Sequence, residues 1–267
     1  LIEESARGCA AAFVLEASAD GGALKTARKG TSIYELVVHG RAAHAGLEPE
    51  KGANAAVELA HQILAVAGIA GQVHDGRPGV TAETSPAAAR GLPLPPGPTA
   101  PGASSAAAAS GGTGGLGPAT VTPTVLSAGT TVNTVPALAR VSVDVRVPTL
   151  AAQERVDELM RALSPRIAGT RLEVLGGPNR PPLEETSSAG LFALAQRIAA
   201  GLGLAPLSGV GVGGASDGNY TAGVGCPTLD GLGAVGGGAH AVSEHVVVAE
   251  MPGRTALLTG LIRAALG

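Results

Sequence analysis

The stretch RVSVDVRV, residues 140–147, decides the fold. Val141, Val143, Val145 and Val147 fall on one face, and Arg140, Ser142, Asp144 and Arg146 on the other, the period of two that marks a half-buried strand. Pro148 ends it, because proline has no N–H for a ladder. Working outward, residues 120–127 read as a second strand, joined to the first by the turn AGTTVNTVP at 128–136. Residues 151–163 predict a helix packing Val156, Leu159, Met160 and Leu163, and residues 171–175 a further strand. Upstream, 31–39 reads as a strand and 40–52 as a polar, glycine-bounded loop carrying His44. Residues 54–67 follow as a helix with Ala56, Leu59, Ala60, Ile63, Leu64 and Ala67 on one face. The order from 31 to 176 is β-α-β-β-α-β, the split βαβ of ferredoxin-like modules.

The flanks read differently. Residues 1–8 look like the end of an amphipathic helix, and the apolar run 9–15 suits a buried parallel strand. Glu16 follows that run directly, where open α/β sheets place their sites, although a solvated acid at a strand end reads the same way. After Pro181 and Pro182 come a helix at 188–202, a strand at 207–212, a helical turn at 216–222 and a strand at 226–230. Pro252 opens a last helix that buries Leu257, Leu258, Leu261 and Ile262. The chain therefore divides into a partial α/β domain in two pieces, 1–28 and 181–267, and an inserted ferredoxin-like domain, 29–180. Residues 76–118 hold eight of the 19 prolines amid Gly, Ala, Ser and Thr, and read as a disordered low-complexity insertion.

Composition narrows the function. The 267 residues are 45% hydrophobic but only 1% aromatic, so the core is built from Ala, Val, Leu and Ile. A net charge of −3 argues against a nucleic-acid partner, and no apolar run reads as long enough to cross a bilayer. Cys9 and Cys226 show no pairing pattern and read as small core residues in a reducing, cytoplasm-like or indifferent setting. The start at Leu1 suggests a fragment or a processed chain. The glycine-rich stretch 211–246 carries Asp217, His240, Glu244 and His245, so it is either a plain solvated loop or one that offers imidazole to a metal or a proton.

Four motifs together carry a resemblance: VLEAS (14–18), GRAAHAG (40–46), TTVNTVP with VDVR (130–136 and 143–146), and GGASDGN with GGAHAVSEHV (213–219 and 237–246). They resemble the di-zinc exopeptidase family of glutamate carboxypeptidase, aminoacylase-1, succinyl-diaminopimelate desuccinylase and peptidase T, the glutamate carboxypeptidase branch above all. The resemblance implies a three-layer α/β/α catalytic domain with a ferredoxin-like lid that forms a homodimer. It implies zinc ligation by Glu16 and His240, with cobalt or manganese as substitutes. It also implies that His44 reaches across the dimer to the reacting carbonyl oxygen, and that Asn133 and Arg146 hold the substrate's free carboxylate. An Arg fork suits that task because it grips a carboxylate with two parallel hydrogen bonds, although Arg146 also reads as a surface partner of Asp144 and His44 as a loop residue in water.

The departures are as informative. The family's His-x-Asp pair, bridging Asp and Glu-Glu pair precede its VLE strand and have no counterpart here. Glu3-Glu4 lies only twelve residues before Glu16 and reads as a solvated helix face. His245 reads as a surface residue or one that backs a ligand. The resemblance thus predicts an amide-bond hydrolase whose present chain is inactive alone, with a non-catalytic dimerisation module or degenerate pseudoenzyme as the alternative.

Overall fold

The computed structural model describes residues 1–74, 115–239 and 241–267. Most of the low-complexity reading at 76–118, and His240, lie outside the described residues. The first half contains α1 (Ile2–Ala6), β1 (Ala12–Phe13), β2 (Leu24–Arg28), β3 (Gly30–His39), α2 (Ala55–Ala67) and α3 (Ile69–His74). The second contains β4 (Thr120–Ala128), β5 (Leu138–Val147), α4 (Leu150–Arg161), β6 (Arg171–Arg180), α5 (Glu185–Gly201) and β7 (Gly209–Val212). It ends with α6 (Gly218–Gly223), β8 (Thr228–Leu229), β9 (Gly236–Gly237), β10 (His245–Val246) and α7 (Met251–Leu266).

The inserted module is a four-stranded antiparallel sheet in the order β4-β5-β3-β6. β3 and β5 pair without interruption from Gly30↔Val147 to His39↔Leu138. That register places Tyr34, Leu36 and Val38 beside Val141, Val143 and Val145, all buried under α2 and α4 with Leu59, Val66, Val156 and Met160. Burial of each such side chain contributes about 1.5–3 kcal/mol, so the valine alternation fixes which sheet face carries the helices. The ferredoxin-like expectation holds. The last strand is longer than expected, running to Arg180 rather than 175.

α2 starts where expected: the Asn54 side chain accepts from Ala56 N and Val57 N and caps it. Its buried face is rotated from the expected one. Ala55, Glu58, Leu59, Gln62 and Val66 face the sheet, whereas Leu64 is 72% exposed and Ala60 and Ala67 are exposed. The helix is apolar on two faces, and two polar residues occupy the inner one. The Glu58 carboxylate explains this. It accepts from Gln62 Nε2 at 2.6 Å, Arg166 N at 2.9 Å and Ile167 N at 2.7 Å, so a buried charge satisfies the turn before β6. By length and apolar composition, Ala55–Val73 passes as a membrane-spanning helix, contrary to the sequence expectation. Leu59, Val66 and Ile69 on it are core residues of this module.

The remaining elements form a second layered unit. β1 pairs with β8 and β2 with β7, both parallel, and a bridge between Lys25 and Asp230 joins the two ladders. α5 and α7 cover them around Leu24, Leu191, Ala195, Leu229, Leu257 and Leu261. The apolar run 9–15 was expected to be a fully buried strand. It forms only a two-residue, half-buried one, because among the described residues β8 alone pairs with it. Ile262 and Cys9, expected in the core, are exposed.

Burial pushes the Glu58 carboxyl up, but its three hydrogen bonds prevail and hold it below its ordinary value of 4.5. A carboxyl depressed on folding stabilises above its unfolded value and loses that contribution as pH falls through the folded one. Glu58→Gln should therefore flatten the fall in denaturation midpoint between neutral and acid pH relative to the parent. Glu58→Ala should cost about 2–3 kcal/mol at neutral pH in a urea titration, since buried donors are left unmatched.

Candidate functional site

The junction between the two units is built around a buried ion pair. Arg28, at the end of β2, donates from Nε to Asp230 Oδ2 at 2.7 Å and from Nη2 to Asp230 Oδ1 at 3.1 Å. Asp230 is fully buried, immediately after β8. Its carboxylate also accepts from Ser216 Oγ and Gly231 N. Arg28 Nη1 donates to Gly214 O at 2.9 Å, so one guanidinium ties the glycine loop after β7 to the end of β8. Asn219 continues the network: Ser216 N donates to its Oδ1, and its Nδ2 donates to Pro181 O at 2.7 Å and Lys29 O at 3.2 Å. Both connections between the units, residues 28–30 and 180–183, are thus held by the Asn219 side chain of the GGASDGN loop.

Glu16 is exposed, three residues beyond the carboxyl end of the short β1 rather than directly after a strand. Its backbone is anchored: Gly233 N donates to Glu16 O at 2.9 Å and Ser18 N to Ala234 O at 3.0 Å. A Cβ on Gly233 would run into the Leu15 and Glu16 carbonyls, so only glycine permits this close approach. The segment leading to His240 therefore starts beside Glu16. Lys25 lies near enough for Glu16 and Asp230 to support its proton, although burial and Arg28 prevail and lower its affinity. Asp217, Glu244 and His245 are exposed, and His245 Nδ1 lies 3.0 Å from Ser243 O. Among the described residues no three His, Cys, Asp or Glu side chains converge as a metal group. By themselves they do not make a zinc centre.

The GRAAHAG and VNTVP loops come together at the far end of the inserted sheet. Ala45 N donates to Asn133 O and Val135 N to Ala43 O, both at 2.9 Å, and His44 bridges to Thr134. His44 and Asn133 are both exposed beside each other's loops. The His44 Nδ1 accepts from Gly46 N at 3.1 Å and Leu47 N at 3.2 Å. An Nδ1 used as acceptor leaves the proton of a neutral ring on Nε2, which is free to donate outward.

Arg146 is elsewhere. It pairs with Thr31 and Thr120 at the junction end of the sheet, on the face away from the helices. At about 3.4 Å per residue it stands roughly 27 Å along β5 from Leu138, where the Asn133 loop begins. Its fork is engaged by Asp144, with Nε–Oδ1 and Nη2–Oδ2 both at 2.9 Å, which raises its proton affinity further. Within one copy, His44 and Asn133 are brought together and Arg146 is not brought to them. The Arg28–Asp230–Ser216–Asn219 network was not found from sequence. The one available signal was an acid ending a buried strand, and its cationic partner lies 202 residues away.

The family model for the peptidase dimerisation domain matches residues 26–170, more than half of the chain. Comparison with curated proteins finds no match. Among solved structures, the chain is similar to aminopeptidase PepT from Bacillus cereus, at 19% identity over 96% of this chain and 57% of that one, with a TM-score of 0.57. It is also similar to a tripeptidase from Staphylococcus aureus, at 16% identity over 95% of this chain and 56% of that one, with a TM-score of 0.57. These likenesses concern the fold, and the chain spans little more than half the length of either structure.

Removing one member of a buried pair strands the other charge, which costs about 3–5 kcal/mol. Asp230→Ala should lower the unfolding free energy by that amount in guanidinium titration. Asp144→Ala, at a half-exposed pair, should leave it nearly unchanged.

Proposed function

Because the chain belongs to the peptidase dimerisation domain family, we propose that it is the lid-bearing part of a homodimeric hydrolase that cleaves an amide bond next to a free carboxylate. One observation carries this reading: the two halves of the expected substrate grip stand at opposite ends of one sheet. A small substrate cannot touch both ends of one copy, but it can touch the junction of one subunit and the loop tip of another. His44 and Asn133 then come from the partner, with the His44 Nε2–H placed to donate to the carbonyl oxygen as it gains charge. Arg146 comes from the subunit that holds the substrate and offers its remaining N–H groups to the carboxylate.

Glu16 and His240 would hold zinc, which when bound supplies an activated water and polarises the scissile carbonyl. Catalytic zinc takes three protein ligands as a rule, so two from this chain leave it inactive alone. The branch nearest glutamate carboxypeptidase sets the expected ligand, an N-acylated amino acid with its carboxylate free.

The dimer has an available surface. β4 is an edge strand with Val125 and Leu126 exposed, and α2, packed beside it, exposes Val57 and Leu64. Among the described residues no further strand pairs with that edge, and an apolar helix face beside such an edge is what a second copy can cover.

A second reading, a dimerisation module without catalysis, draws on the family match, which lies within the lid and its border, and on the sparse ligand set among the described residues. N-acetyl-glutamate binding followed by calorimetry separates the two. The hydrolase reading expects binding that weakens at least about tenfold in Arg146→Ala, the loss of one charge-assisted grip of roughly 1.5–3 kcal/mol. Under zinc it expects no turnover above the His240→Ala variant. Equal binding by parent and Arg146→Ala would favour the module. Leu64→Glu and Val125→Glu, at exposed positions, should each yield a folded monomer in sedimentation equilibrium, and an unchanged dimer would move the interface elsewhere.

A further inference from the structure

The chain's only two cysteines, 217 residues apart, meet in space. Cys9 lies between α1 and β1, exposed, and its Sγ donates to Ser5 O at 3.1 Å. Cys226, two residues before β8, is buried, with its Sγ 3.7 Å from the Cys9 carbonyl oxygen. The parallel pairing of β1 with β8 causes this: Ala12 N donates to Pro227 O at 2.8 Å, so the residues before β1 run beside those before β8. Two thiols on adjacent parallel segments, one reachable from solvent and one behind it, form a resolving arrangement.

We propose that Cys9 and Cys226 are a modification site that closes to an intramolecular disulfide under a low-molecular-weight disulfide such as oxidised glutathione. The Cys9 thiolate attacks one glutathione sulfur, forming a mixed disulfide and releasing one glutathione thiolate. Cys226 loses its proton as it attacks the Cys9 sulfur and releases the second glutathione. Two electrons pass from the protein thiols to the oxidant and two protons leave the cysteines, so the exchange balances. Burial raises the Cys226 thiol and the neighbouring Cys9 raises it further, which suits a second, resolving step better than a first attack. Closure requires Cys9 Sγ to leave Ser5 O and turn toward the Cys226 sulfur, which already lies 3.7 Å from the Cys9 carbonyl oxygen. The ladder it would staple is two residue pairs long, and the segment it secures ends at Glu16.

Incubation of the chain with oxidised glutathione, followed by mass spectrometry and a proteolytic map, tests the pair. The expected product has lost the mass of two hydrogens, yields a single Cys9–Cys226 peptide, and reverts with dithiothreitol. Cys9→Ser alters only an exposed position and should show neither adduct nor closure, while Cys226→Ser should stop at a stable glutathione adduct on Cys9. A parent chain that stops at that adduct, or that cross-links between copies through Cys9, overturns the proposal.

Discussion

A guanidinium removed from water must find its carboxylate, and the Arg28–Asp230 pair meets that demand at the junction of the two units. Arg28 ends the strand that leads into the inserted sheet, and Asp230 ends the strand that leads into the glycine-rich stretch. Their pairing, with Ser216 and Asn219 filling the remaining hydrogen-bond positions, fixes the direction in which the sheet leaves the layered unit. An unpaired charge there would cost far more than an exposed one, so the network is satisfied as a whole or fails as a whole.

The inserted sheet then acts as a ruler. Its ten-residue pairing of β3 with β5 sets a rigid separation between Arg146 at one end and the His44 and Asn133 loops at the other. A β-ladder of that length does not bend enough to join them, which is why the proposed site draws on a second copy. The two apolar faces of α2 belong to the same logic. One face meets the sheet, where Glu58 and Gln62 are satisfied by the turn at 164–167, and on the other, proposed as the dimer face, Val57 and Leu64 are exposed among the described residues.

Alternation and a helix-opening proline made much of this legible. The valines of 141–147 and the proline at the start of α7 act through neighbours in sequence, and each places its element correctly. The wrong face of α2 has a physical cause: periodicity reports that a stripe is apolar, not whether a sheet or a second molecule covers it. The short β1 has a similar one, since an apolar run extends as a strand only as far as a neighbour pairs with it. Glu16 was placed by the apolar run before it, and His44 and Asn133 by motifs whose loops pair as backbone. The neighbouring cysteines and the Asp144 partner on the Arg146 fork differ. The second could be read at a spacing of two on one strand face, and the first could not be read at all.

The sequence alone determined the strand order and the two main helices of the inserted sheet, its valine-lined face and the segments that carry His44, Asn133, Arg146 and Glu16, because each depends on periods and turns a few residues long, whereas β2, α3, β9 and β10 were not read from it. Tertiary structure alone decided which loops meet, which helix face stays uncovered, that Arg28 finds Asp230 and that Cys9 lies against Cys226. Those outcomes depend on pairing between residues far apart in sequence, from about 90 positions for the two loops to 217 for the cysteines, where the free energy lies in excluding water from both partners and leaves little local trace in either segment.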